Sequence, residues 1–167
     1  RGGRVRFVGL DVPGSGGNPE PALRRVRDHL AAHAPGAVAD VDAALAATGA
    51  YAAANNGAAP ARHAALDGPR RDAATAALAR VLLRVEALGP GAQHRVARHH
   101  ALGALRLDEQ VRELLAVTGP DPPAHAVSSR DVYMAETVRL VRELLGRDER
   151  IVLLAHNGHI QRVPLAF

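Results

Sequence analysis

The sequence predicts an α/β fold: a helix-rich chain with a parallel-type sheet core and a large helical insertion between two recognisable strands. Three observations carry this reading. Ile151 to Ala155 is a short, uninterrupted apolar run, the pattern of a strand buried on both faces of a parallel sheet. Arg4 to Leu10 also reads as a strand, with Val5, Phe7, Val8 and Leu10 apolar. Between the two, apolar residues recur at helical spacing and are punctuated by Gly and Pro. The insertion is expected over about 20–146, within a single partial domain spanning 1–167. No internal repeat or heptad run is evident.

A chain of 167 residues is long enough for one domain with a real core. It begins at Arg1 and ends at Phe167, shortly after the second apolar run. Both ends are read as cut, so an internal piece of a longer protein is expected. The 21 basic residues are all arginine, against 17 acidic ones, for a net charge of +4. They alternate with Asp and Glu, as at Arg24-Arg25-Val26-Arg27-Asp28, and aromatic residues make up only 2% of the chain. That composition describes solvated helix surfaces rather than a base-stacking nucleic-acid interface. The absence of cysteine excludes disulfides, thiolate metal sites and a cysteine nucleophile. No apolar run approaches the ~18–20 residues of a membrane span. Neither nucleic acid nor membrane is expected as a partner, and a cytoplasmic location is the default. The oligomeric state cannot be read from the pattern.

After the first strand, Asp11 leads into Val12-Pro-Gly-Ser-Gly-Gly-Asn-Pro19, a loop by composition. It lacks the Lys-Ser/Thr ending of a phosphate-binding loop and does not match GxGxxG. Pro21 opens a helix to about His33, with Leu23, Val26, Arg27 and Leu30 on its buried face. A break at Pro35-Gly36 precedes a weaker helical segment, Val38 to Thr48. Tyr51 to Pro69 is alanine-rich and poorly patterned, and is read as loop with a turn of helix. Ala73, Ala77, Leu78, Val81, Leu82, Val85 and Leu88 form a clear stripe closed by Gly89-Pro90. A long helix from about Ala92 to Val117 follows, weakened by Gly103. His94, His99 and His100 lie on it, and are read as surface or partly buried histidines because adjacent residues point about 100° apart. After Gly119 to Pro123, Ser128 or Ser129 caps another helix, with Asp131 in its first turn. Its core stripe is expected to be Met134, Val138, Val141 and Leu145, with Arg139 and Glu143 paired on the exposed side.

The most specific chemistry stands at His156-Asn157-Gly158-His159, where the second strand stops at a turn. In open α/β sheets, ligands bind outside the carboxyl ends of the strands. Two histidines there suit acid–base work, which needs one neutral imidazole held by a carboxylate. Asp11, Asp131 and Glu136 are the available carboxylates. A metal would need a third protein ligand, for which Asp11 is the candidate. A serine nucleophile is disfavoured, because Gly14-Ser15-Gly16 is not in the Gly-x-Ser-x-Gly register.

Three segments, Phe7-Val-Gly-Leu-Asp11, Ser129-Arg-Asp-Val-Tyr-Met-Ala-Glu136 and Arg150-Ile-Val-Leu-Leu-Ala-His-Asn-Gly-His-Ile160, occur in an order that resembles the erythromycin esterase family. The resemblance runs from Val5 to Pro164. It implies an α/β core with a helical insertion, and a cleft of His, Glu and Arg side chains that hydrolyses an ester or lactone of a small molecule without a cofactor. His156 and His159 match the family's two cleft histidines of this motif, with Asp11, Arg130, Asp131, Glu136 and Asn157 in substrate-binding or supporting positions. The family's other essential Glu and its water-activating His lie upstream of anything present in this chain. His156 and His159 are then expected to orient the attacking water and to stabilise the oxyanion. Thr137 and Leu154 depart from the Asn and Trp often found there, so the substrate is not carried over. The rival readings are a metal-dependent hydrolase using His156, His159 and Asp11, and a non-catalytic binding protein on the same fold.

Overall fold

The computed structural model describes residues 5–55, 57–117, 128–145 and 149–155. Helices account for its ordered elements: α1 (Glu20–His33), a 3-10 turn (Pro35–Ala37), α2 (Val38–Gly49), α3 (Ala58–Ala64), α4 (Gly68–Glu86), α5 (Ala92–Val117) and α6 (Ser129–Leu145). No strand occurs among the described residues, so the expected α/β class with a parallel-type sheet is corrected to an all-helical one. Residues 5–10 and 149–155 are irregular. A strand needs a neighbour to satisfy its backbone, and neither segment makes a backbone ladder among the described residues. Burial fails as well, since Phe7 is 94% exposed, Val152 83% and Leu154 86%. An apolar run marks sequence able to be buried, and here it is not covered.

The helices do follow from the sequence. On α1, Ala22, Leu23, Val26 and Leu30 are buried, at the spacing of one helical face. Arg27 does not share that face; its guanidinium reaches Asp42 on α2 at 2.7 Å. The region read as loop contains α3, whose first N–H groups are met by Asn55 Oδ1, at 2.9 Å from Ala58 N. Asp67 then caps α4 by accepting from Arg70 N at 2.8 Å, which starts that helix five residues before the apolar stripe.

Helices α1, α2, α4 and α5 close a ring in which each packs on the next. Leu23, Val26 and Leu30 meet Val41, Leu78, Val81 and Val85 inside it, beside Ala97, Ala101 and Ala104 of α5. Each fully buried Val or Leu contributes about 1.5–3 kcal/mol, and the alanines let α5 approach closely. Asp108 is wholly buried on α5. Its charge is offset by Thr75 Oγ1 donating at 2.6 Å and by Arg112.

α5 also carries α6 on its far side, and Gly103 permits this. A Cβ there would lie 2.8 Å from Pro13 Cδ and 3.0 Å from the Tyr133 hydroxyl. The glycine read as a weakness of the helix instead leaves room for Pro13 and the Tyr133 ring against α5. On α6 the buried residues are Ser129, Tyr133 and Thr137, about a third of a turn from the expected stripe. Val138, Val141 and Leu145 instead face a cavity. Glu143 approaches Arg95 of α5, at 3.5 Å.

Candidate functional site

The two irregular segments come together against α6. Residues 5–10 and 149–154, with Thr137, Val138, Val141 and Leu145, line a cavity of ≈ 790 Å³ that is open to solvent. Its walls are mostly aliphatic, with Arg6, Glu149 and Arg150 the charged groups. A space of this size and character suits an apolar small molecule.

Asp11 follows directly on one wall of this cavity. Arg130, in the first turn of α6, grips its carboxylate with both ends of the guanidinium fork, Nε to Oδ1 at 2.7 Å and Nη2 to Oδ2 at 2.5 Å. Paired in this way, the two groups fix one another's orientation. The Val12 N–H also donates to Oδ1, at 2.8 Å. Burial pushes the Asp11 carboxyl up, but the bonds from Arg130 and Val12 outweigh it and hold the carboxyl below its ordinary value. Hydrogen bonding to Asp11 likewise raises the Arg130 guanidinium. Asp11 is therefore an anion at neutral pH with both oxygens engaged, which unsuits it to be a general acid. The loop that brings it there turns through Gly14 and Gly17, both at positive φ (78° and 103°).

The start of α6 is secured from α5. Glu113 accepts from the Ser129 N–H at 3.1 Å and lies 3.0 Å from its hydroxyl, so a carboxylate meets the positive end of the helix. Asp131 stands half-buried in that first turn. Glu136 lies further along, 3.9 Å from Arg106 of α5, and lines a smaller cleft with His99 rather than joining Asp11. The structure thus unites Asp11 with Arg130 and sets Glu136 apart. His156, Asn157 and His159 lie outside the described residues.

His99, read as a surface or partly buried histidine, is partly buried, and its contacts add what the sequence reading did not give. His99 stacks on Tyr133 with ring centroids 4.3 Å apart and planes 16° from parallel. Its Nε2 lies 2.8 Å from Thr137 Oγ1, which also lies 3.0 Å from the Tyr133 carbonyl oxygen. A carbonyl can only accept, so the threonine hydroxyl donates to it and His99 donates to the threonine. Burial, with smaller contributions from His100 and Arg98, lowers the imidazole to about 4. Nothing in the spacing of His99 and Thr137, 38 residues apart, announces the contact.

Among the described residues, no group of three His, Asp or Glu side chains is already arranged to hold a metal, and no helix is long and apolar enough to cross a membrane. The sequence model for erythromycin esterase matches residues 1–165. The chain belongs to the erythromycin esterase family. It is 24% identical, over 171 aligned positions, to erythromycin esterase type II of Escherichia coli, covering 98% of this chain and 41% of that protein. It also resembles the structure of an erythromycin esterase mutant, EreC, in its open conformation, with a TM-score of 0.82 at 23% identity. That likeness covers 96% of this chain and 40% of the other, and at this identity it speaks for the fold. The chain therefore spans about two fifths of the length of these erythromycin esterases.

Proposed function

We propose that this chain supplies part of a hydrolase that cleaves an ester or lactone with water, His156 and His159 acting at the reacting carbonyl. The observation that carries the reading is the aliphatic cavity beside α6. Its wall of residues 149–154 leads in sequence straight to His156, so an apolar acyl or alcohol portion seated there would bring its carbonyl toward the motif. Family membership supports the same chemistry.

In this mechanism the two imidazoles orient the attacking water and donate to the oxygen that becomes negative as the tetrahedral intermediate forms. A base of the whole protein takes the water's proton as it attacks; collapse of the intermediate expels the alkoxide, which takes that proton back, and the acid product departs. Asn157 and Asp131 support the turn and the helix start. Arg130 acts through Asp11 as a positioning residue, holding the loop against α6, while Glu136 anchors α6 to Arg106.

Val141 tests the seat. Val141→Trp in the full-length protein fills part of the cavity. KM for bulky apolar esters is expected to rise at least about tenfold, with short-chain esters little changed, since a pocket discriminates through the volume it offers. Equal kinetics on both classes would place the substrate elsewhere.

A further inference from the structure

Away from this cavity, three imidazoles gather where α1 meets the start of α5. His29 and His33, one turn apart on α1, have ring centroids 4.5 Å apart, and His94 of α5 lies 5.1 Å from each. His29 Nε2 and His94 Nδ1 are 2.9 Å apart, a hydrogen bond in which one nitrogen must donate and the other accept. Two neutral rings can make it, and so can a pair that holds one extra proton. Two fully protonated rings cannot, because each then turns an N–H toward the other. Gly91 gives His94 its place, since a Cβ there would stand 2.8 Å from His94 Cδ2.

The charged groups around the cluster are committed elsewhere. Among the described residues, no ion pair engages any of the three rings. On α1, Asp28 acts on Arg27, and Arg25 acts on His100 of α5. From α2, Asp42 pairs with Arg27 and Asp40 with Arg84 of α4, while Glu86 of α4 pairs with Arg98. Arg95, next to His94 in sequence, reaches Glu143 of α6. Burial, then His33 and His94, hold the His29 imidazole below its ordinary value, so the folded junction resists a proton that the unfolded chain accepts. We propose that His29, His33 and His94 form an acid-sensitive latch between α1 and α5, closed while two rings share a hydrogen and opened by like-charge repulsion once each ring carries a proton. The apolar core that includes Leu30, Ala97 and Ala101 is untouched, so the opening is local to the last turn of α1 and the first turns of α5. The latch is separate from the hydrolytic site, and neither reading depends on the other.

The test is hydrogen exchange of the full-length protein at pH 7.5 and 5.5, read by mass spectrometry and corrected for the intrinsic effect of pH on exchange. The amides of residues 29–34 and 95–101 are compared with those of residues 78–85 in α4. In the wild type the first two segments are expected to lose at least about threefold in protection at pH 5.5, relative to α4. His99, lowered to about 4, stays neutral there, and His100 is common to every protein compared. The double variant His33→Gln/His94→Gln leaves a single imidazole and should cut the loss to less than half. His33→Gln alone changes an exposed side chain and should also reduce it, which keeps the test decisive if the double variant fails to fold. Wild-type segments that track α4 at both pH values overturn the latch, as does a loss undiminished by these substitutions.

Discussion

Replacing His156 by alanine in the full-length protein is expected to lower kcat for ester or lactone hydrolysis at least ~10²-fold, the scale of losing one positioned donor to an oxyanion. The loss should fall on kcat more than on KM. On the proposed reading, the substrate's apolar portion sits in the aliphatic cavity beside Val138 and Val141. A donor that acts mainly on the developing charge is felt in the transition state and little in the ground state. Steady-state kinetics on one ester checks both points. Turnover at the wild-type rate would remove His156 from the site, and a purely KM effect would reassign it to ground-state binding.

The second large effect concerns acid. His99, folded against Tyr133 and Thr137, has its imidazole lowered to about 4, whereas in the unfolded chain it takes up a proton near 6.5. Between these values the unfolded state binds more protons than the folded one, so stability rises with pH across that window. Read downward, the protein is expected to lose at most about 3 kcal/mol through this one group as the pH falls from 6.5 toward 4, less the share that solvent screening removes from a half-buried imidazole, with no further loss from His99 below that. Urea unfolding of the wild type and of His99→Gln over this range isolates the contribution. Glutamine can still donate to Thr137 but does not titrate. The stability difference between the two proteins should shrink steadily toward acid. A difference constant with pH would contradict the burial of a neutral His99.

Those two residues also mark what could and could not be read beforehand. The helices were legible, because Leu23, Val26 and Leu30, or Leu78, Val81 and Val85, repeat at a spacing that only a helix turns to one side. The family was legible in the segments around Asp11, Arg130 and His156. The strand class was not. Periodicity reports that Val5 to Leu10 and Ile151 to Ala155 are able to be buried, but it does not report a hydrogen-bonding neighbour, and none covers them among the described residues. The face of α6 was misread for a related reason. Hydrophobicity favoured Val138, Val141 and Leu145, yet these line a cavity while Tyr133 and Thr137, amphipathic by composition, take the buried side. Asp11 and Arg130 were each singled out, but their grip on one another spans 119 residues and only the fold closes it. His99 was read as a surface or partly buried histidine, as it is, but its contacts stayed hidden because Tyr133 and Thr137 lie on another helix.

The measurement that bears most directly on the proposed chemistry is hydrolysis in H₂¹⁸O by the full-length protein, across a panel of bulky and short esters and lactones. One ¹⁸O is predicted in the carboxylate of the product. It should appear with at least one bulky apolar substrate, persist after prolonged chelation and fall by two orders of magnitude in His156→Ala. Failure to open any ester or lactone, or turnover that chelation abolishes, would contradict water attack assisted by these histidines.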